Sequence, residues 1–258
     1  MSRSGPTGPE FAEIPTMRKP RMSRIPRADQ LARISTAGRL WTAVLLIGLI
    51  AAVGIGLVVQ INERDRTAAA AAAAVAGPAA LADDGTVRFG DTDPVMTITE
   101  DMQCPLCRSF DSVSGPAIAG LLDQQKIAVA YRVIAIRDRD STTEYSSRAA
   151  NASACVAEAD KSKWLAWRRA VLDRVPAQGS PGPTDRELID LAGRAGITAS
   201  TQLTDCVTSG RYRAFVANQT KKATEAKLTS VPAVRIGDGA ITNLTPEGIE
   251  ASVQAAAR

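Results

Sequence analysis

Two cysteines, Cys104 and Cys107, delivered by a short apolar run, constrain this chain more than any other feature of its 258 residues. The run Val95-Met-Thr-Ile-Thr99 is rich in β-branched side chains and bounded by Asp93-Pro94 and Glu100-Asp101. It predicts a buried strand. The Cys104-Pro-Leu-Cys107 that follows predicts a helix start, because Pro105 falls where a helix needs no backbone donor. A thiol in that first turn faces unpaired amides and the positive end of the helix dipole, and both favour the thiolate. The expectation is thiol–disulfide exchange, with Cys104 exposed and attacking and Cys107 one turn inside and resolving. The rival reading, half of a zinc site, needs a second ligand pair. The chain has no histidine, and its other cysteines, Cys155 and Cys206, are not closely spaced.

The lack of histidine excludes Ser-His and Cys-His nucleophile pairs and histidine-ligated metals. No metal and no other cofactor is called for. The net charge of +4 hints at nucleic acid only until it is divided. Residues 1–39 carry eight Lys/Arg against three Asp/Glu, which leaves 23 against 24 in the remainder. The folded part has no basic excess to attract phosphate, so nucleic acid is not an expected partner.

Residues 1–39 are rich in Pro, Gly, Ser and Arg and show no hydrophobic period, which predicts a disordered basic tail. Leu40 to Val59 is then free of charge, long enough to cross a hydrocarbon core of about 30 Å. The expected anchor covers 40–61. Arg33 and Arg39 flank it on the tail side, so the positive-inside bias puts the N-terminus in the cytoplasm and the rest outside the cell membrane. A cleaved signal peptide is disfavoured by the long tail before the run and by the run's own length. Residues 62–85, with seven consecutive alanines from Ala68, read as a spacer, either loose or a continued helix.

From residue 86 the pattern is that of a globular α/β domain. Val87–Phe89 is an expected edge strand, and the Cys-x-x-Cys helix is expected to bend or break at Ser114-Gly-Pro116. Ile127–Ile136 is the strongest strand signal and should run parallel to the first. Residues 141–228 carry helical spacing only. Strand character returns at Val231–Ile236 and Ala240–Leu244, and Pro246–Ala256 is a last helix. The order is a β-α-β unit and a β-β-α unit with an all-helical insertion between them, preceded by one transmembrane helix.

In this arrangement the chain resembles the DsbA family of thioredoxin-fold proteins, in its Gram-positive and actinobacterial membrane-anchored branch. The resemblance spans about residues 86–258. It rests on Asp101-Met-Gln-Cys-Pro-Leu-Cys107, Tyr131–Arg137, Ala149-Ala-Asn-Ala-Ser-Ala-Cys155, Cys206-Val-Thr-Ser-Gly-Arg-Tyr212 and Thr229-Ser-Val-Pro-Ala-Val-Arg-Ile-Gly237, in that order. It implies an extracytoplasmic thiol:disulfide oxidoreductase acting on exported proteins, reoxidised by a membrane partner of the DsbB or vitamin K epoxide reductase-like kind. Cys104 takes the nucleophile position and Cys107 the resolving one. Val231-Pro232 falls on the family's cis-proline loop, where backbone before the proline pairs with a substrate strand. A reductase or isomerase of the same fold, or a module that only binds proteins, are the competing functions.

Two departures bear on the chemistry. The dipeptide between the cysteines is Pro-Leu, where the strongest oxidases of the family carry a histidine, so a thiolate partner is missing. The carboxylate that the family buries six residues before the first cysteine is replaced by Ile98. Proton transfer then falls to water or to Glu100 or Asp101, with Asp101 better placed; exposure and strand-end capping is the competing reading of Asp101. Cys155 and Cys206, on the outer side of a membrane, are expected to pair as a structural disulfide. Two free buried thiols, or an electron relay to Cys104–Cys107, are the alternatives. Trp164 and Trp167 read as core, and Arg168-Arg169 and Lys221-Lys222 as solvated helix faces.

Overall fold

The computed structural model describes residues 36–82 and 84–257, so the expected tail is outside the described residues except for its last four positions. The chain divides into two units, residues 1–63 and 64–258. Helix α1, Thr36–Val75, runs through the apolar stretch and on through the alanines. Its segment Val44–Arg64 is long and apolar enough to cross a membrane.

Within the second unit, a five-stranded sheet in the order β1-β3-β2-β4-β5 is built from Val87–Phe89, Val95–Glu100, Ala128–Val133, Ala233–Ile236 and Gly239–Ile241, numbered β1 to β5 along the chain. β2 and β3 are parallel, in register from Val95 opposite Ala128 to Glu100 opposite Val133. The other pairs are antiparallel. The central strand β2 is thus paired on both sides and buries Met96 and Ile98. Ahead of the sheet, part of the stretch expected as a spacer joins the core: Pro78 is buried, and Ala80 and Leu81 pack against it.

Helix α2, Pro105–Asp123, does not break at Pro116. A proline inside a helix costs about 3 kcal/mol. Against that, Ser114, Ile118 and Leu121 lie buried on either side of it, and each large apolar side chain gains roughly 1.5–3 kcal/mol from full burial. Ser114 also donates its hydroxyl to the Leu244 carbonyl at 2.5 Å. Tertiary packing outweighs the local breaker.

The insertion holds five α-helices: α3 Tyr145–Asp160, α4 Trp164–Leu172, α5 Asp185–Arg194, α6 Thr201–Thr208 and α7 Arg213–Glu225. Helix α3 is its axis, with Ala149 to Ala157 all buried. Trp164 and Trp167 are fully buried, and their indole N–H groups reach the Ser153 and Leu188 carbonyls, each at 3.1 Å. Cys155 of α3 and Cys206 of α6 are joined by a disulfide, with Cα atoms 5.9 Å apart. Helix α8, Pro246–Ala256, caps itself with Thr245 and packs on α2 and the β4–β5 hairpin.

Candidate active site

Strand β2 ends at Glu100, and a tight turn returns the chain into α2, with the Cys104 amide bonded to the Asp101 carbonyl at 3.0 Å. Cys104 is the N-cap of α2. Its sulfur accepts from the Cys107 amide at 3.3 Å, satisfying one of the orphan donors at the helix start as a serine oxygen does elsewhere. The same sulfur donates to the Val231 carbonyl at 3.3 Å, and the Val231–Pro232 peptide is cis. The structure therefore brings Cys104, Cys107, Val231 and Pro232 together, although 127 residues separate Cys104 from Val231.

Cys104 was expected to be exposed, and it is not: only 1% of it meets solvent. The proline loop, contributed from the far end of the chain, lies against it. Pro105 and Leu106, between the two cysteines, are the exposed members of the motif.

The two thiols have opposite characters. The Cys104 thiol is lowered to about 7, above all by the hydrogen bond from Cys107; burial opposes this, and the Cys107 and Leu106 amides and the Arg137 charge add to it. Burial pushes the Cys107 thiol far up, and the Cys104 contact and the Glu100 charge add to the rise. The helix end and the neighbouring thiol thus concentrate the negative charge on one sulfur.

Both carboxyl groups before the motif are completely buried, which excludes the exposed reading of Asp101. Asp101 accepts from the Gln103 amide at 2.9 Å, the Ser146 hydroxyl at 2.7 Å and the Arg137 amide at 3.0 Å. It ties the cysteine turn to the segment after β3 and to the first turn of α3. Glu100 is held from both oxygens by Arg168, at 2.6 and 2.5 Å, and Arg168 also reaches Asp111 at 2.5 Å. The Arg168 guanidinium lies 4.5 Å from the Tyr131 ring centroid.

The expectation of a solvated Arg168 is therefore corrected: it is 2% exposed. The signal was in the spacing, since Arg168 follows Trp164 by four residues and shares the buried stripe of α4 with Trp164, Trp167 and Val171. Arg169, the other half of that run, is exposed as expected.

A family model described as thioredoxin matches residues 83–255. The chain belongs to the thioredoxin family, as a DsbA-like member. Among solved structures it is similar to reduced DsbA from Mycobacterium tuberculosis, at 29% identity and a TM-score of 0.60, covering 67% of this chain and 92% of that one. It is also similar to DsbG from the same organism, at 30% identity and a TM-score of 0.59, covering 67% and 87%. MdbA from Corynebacterium diphtheriae, at 22% identity, a TM-score of 0.55 and coverage of 70% and 92%, shares the fold. No curated protein matches the chain in sequence. This DsbA-like chain is a thiol–disulfide oxidoreductase, and no cluster of metal-ligating side chains occurs among the described residues.

Its buried Asp101 has a measurable consequence. Desolvation raises the carboxyl from 3.8 to about 6 against the pull of its three hydrogen bonds. The folded chain holds this proton more tightly than the unfolded chain. The resulting stability is fully present below pH 3.8 and is lost as pH rises through about 6. The gap corresponds to about 3 kcal/mol. Urea unfolding of the native chain and of Asp101→Asn, which cannot titrate, should show the difference between them moving by about 2.4 kcal/mol in favour of the native chain from pH 7.5 to pH 4. A difference that stays flat across that range rules out burial of a titrating carboxyl here.

Proposed function

We propose that this chain is a membrane-anchored, extracytoplasmic oxidase that introduces disulfides into exported proteins through Cys104-Pro-Leu-Cys107. In this reading residues 1–39 form the cytoplasmic tail, 40–61 the anchor, 62–85 a spacer and 86–258 the catalytic domain. The observation that carries the reading is the geometry of the cysteine turn: the Cys104 sulfur caps α2 on the Cys107 amide and lies against the cis Val231–Pro232 loop, as a thiol that exchanges with a docked polypeptide requires.

A substrate thiolate attacks Cys104 of the Cys104–Cys107 disulfide. The S–S bond breaks, Cys107 leaves with the electron pair and takes a proton, and substrate and Cys104 share a mixed disulfide. A second substrate thiolate then attacks the first substrate sulfur, and Cys104 leaves as a thiolate. The low proton affinity of Cys104 makes it the better leaving group in this second step. The substrate has lost two electrons and the enzyme carries them until a membrane reoxidase of the DsbB or vitamin K epoxide reductase-like kind removes them. The Val231 backbone, already against Cys104, is available to pair with an extended substrate segment once that segment displaces the thiol contact. Glu100 is engaged by Arg168, whereas Asp101, its carboxyl raised to about 6, gains and loses a proton just below neutral pH. Asp101 is therefore the group proposed to exchange the Cys107 proton with water.

The Pro-Leu dipeptide, lacking the histidine of the strongest oxidases, favours one competitor, a reductase of the same fold. The reduction potential of the full chain in detergent, equilibrated in glutathione buffers and read by thiol alkylation, decides between them. A potential at or above roughly −180 mV is expected, and one near roughly −270 mV would sink the oxidase assignment.

A further inference from the structure

An open groove of about 620 Å³ is walled by two segments, each of which connects to the cysteine turn. One wall is the segment after β3, with Ala135, Ile136, Arg137, Arg139 and Asp140. The other is the end of α7 and the loop after it, with Thr220, Thr224, Leu228 and Thr229. The first wall is pinned to the cysteine turn, because the Arg137 amide bonds to Asp101, whose own carbonyl holds the Cys104 amide. The second continues two residues beyond Thr229 into Val231, the residue against the Cys104 sulfur. A polypeptide whose cysteine sits on Cys104 therefore has neighbouring residues within reach of this groove.

The groove's polar groups are unevenly matched. Arg137 gives one terminal nitrogen to Asp140 at 2.7 Å, while its Nε is buried without a partner. Arg139 is exposed and forms no ion pair among the described residues. The nearby Asp138 is turned away, accepting from the amide and hydroxyl of Ser147. Two guanidinium groups thus face one carboxylate, so the groove carries positive charge that the chain itself does not neutralise.

We propose that Arg137 and Arg139 form an acidic-residue subsite, which selects substrate cysteines flanked by aspartate or glutamate. This rests on the oxidoreductase reading above and adds the substrate's chemistry to it. The fit is one of fork-shaped donor to carboxylate, with the threonine-lined wall tolerant of a polar chain. Arg137 also acts on Cys104, so a substrate carboxylate drawing on its charge makes substrate selection and thiol chemistry share one residue.

The test uses the full chain in detergent with its Cys104–Cys107 disulfide formed, and single-cysteine peptides carrying three glutamates or three lysines on one or the other side of the cysteine. Each peptide's rate of reducing the protein is divided by its rate with a small uncharged disulfide such as 2-hydroxyethyl disulfide. That division removes the effect of the peptide's own charges on its thiol. For at least one side, the corrected glutamate-to-lysine ratio is expected to be about three- to tenfold at low salt, expressed mainly in KM. It should fall toward one in 0.5 M NaCl and in the Arg137→Gln/Arg139→Gln variant. Because the ratio is internal to each protein sample, a partly folded variant does not disturb it. A ratio of one in the native chain on both sides overturns the subsite, as does a ratio that the double substitution leaves intact. If no peptide reduces the protein at all, the oxidoreductase reading fails and takes the subsite with it.

Discussion

Replacing Cys104 with serine is expected to abolish thiol–disulfide exchange, whereas Cys107→Ser is expected to stall the chain as a mixed disulfide. The asymmetry follows from the helix start. Cys104 is the sulfur that receives the Cys107 amide, lies against Val231 and carries the negative charge. With a thiol lowered to about 7, roughly half of Cys104 is thiolate at neutral pH, against about one part in a hundred for a thiol left at 9. Cys107 is fully buried, and its proton is held by desolvation and by the Glu100 charge. Reduced Cys107→Ser offered a disulfide peptide should form the covalent adduct and keep it, because no second sulfur is present to release the peptide. Non-reducing mass spectrometry reads this directly. The cause of the Cys104 shift can be separated from its effect. Iodoacetamide alkylation of Cys107→Ser should keep its midpoint near 7, since serine still offers a donor. Cys107→Ala removes the largest contribution, and its midpoint should move toward 9. Equal midpoints in the two variants would show that the neighbouring side chain does not set the acidity.

The elements of the second unit were legible because their signals are local. Val95–Glu100 and Ala128–Val133 are short runs rich in apolar and β-branched residues, and Thr184 and Thr245 cap the helices their sequence positions suggest. What was not legible depends on partners distant in sequence. Pro116 reads as a helix breaker until Ile118 and Leu121 are seen buried beyond it. The burial of Cys104 depends on a loop more than a hundred residues later. Arg168 lies in between: its spacing from Trp164 pointed inward, but an arginine on a buried stripe makes physical sense only once Glu100 and Asp111 are known to wait there. Paired this way the three groups form a buried network, and removing one partner would strand a charge away from water. The Arg137 groove is of the same kind. Its two walls come from residues 135–140 and 220–229, so nothing in either segment alone marks it.

Removing the Cys155–Cys206 bond is expected to cost about 4 kcal/mol of stability on the chain-entropy account, because the bridge closes 51 residues of the unfolded chain. For a domain of this size that corresponds to a fall in Tm of about 8–16 °C. The Cys155→Ala/Cys206→Ala double substitution is the clean form of the test, since one remaining thiol could exchange with the redox pair. Alanine suits the site, where both sulfurs are 1% exposed and a hydroxyl would need a partner. The bond joins α3, whose Asn151 also accepts from the Tyr212 amide at 2.8 Å and donates to the Val207 carbonyl at 3.1 Å. Those two hydrogen bonds hold the α6–α7 junction independently of the sulfurs, so the fold should survive at room temperature with reduced stability. The Cys104 alkylation midpoint should stay near 7, because every group that sets it lies in the cysteine turn and in the segment following β3. A relay that passes electrons through Cys155 and Cys206 makes the opposite forecast, slower turnover with an unchanged Tm. Differential scanning calorimetry beside a turnover assay on the same sample therefore separates a clamp from a conduit. The burial of both sulfurs and the length of the closed loop favour the clamp.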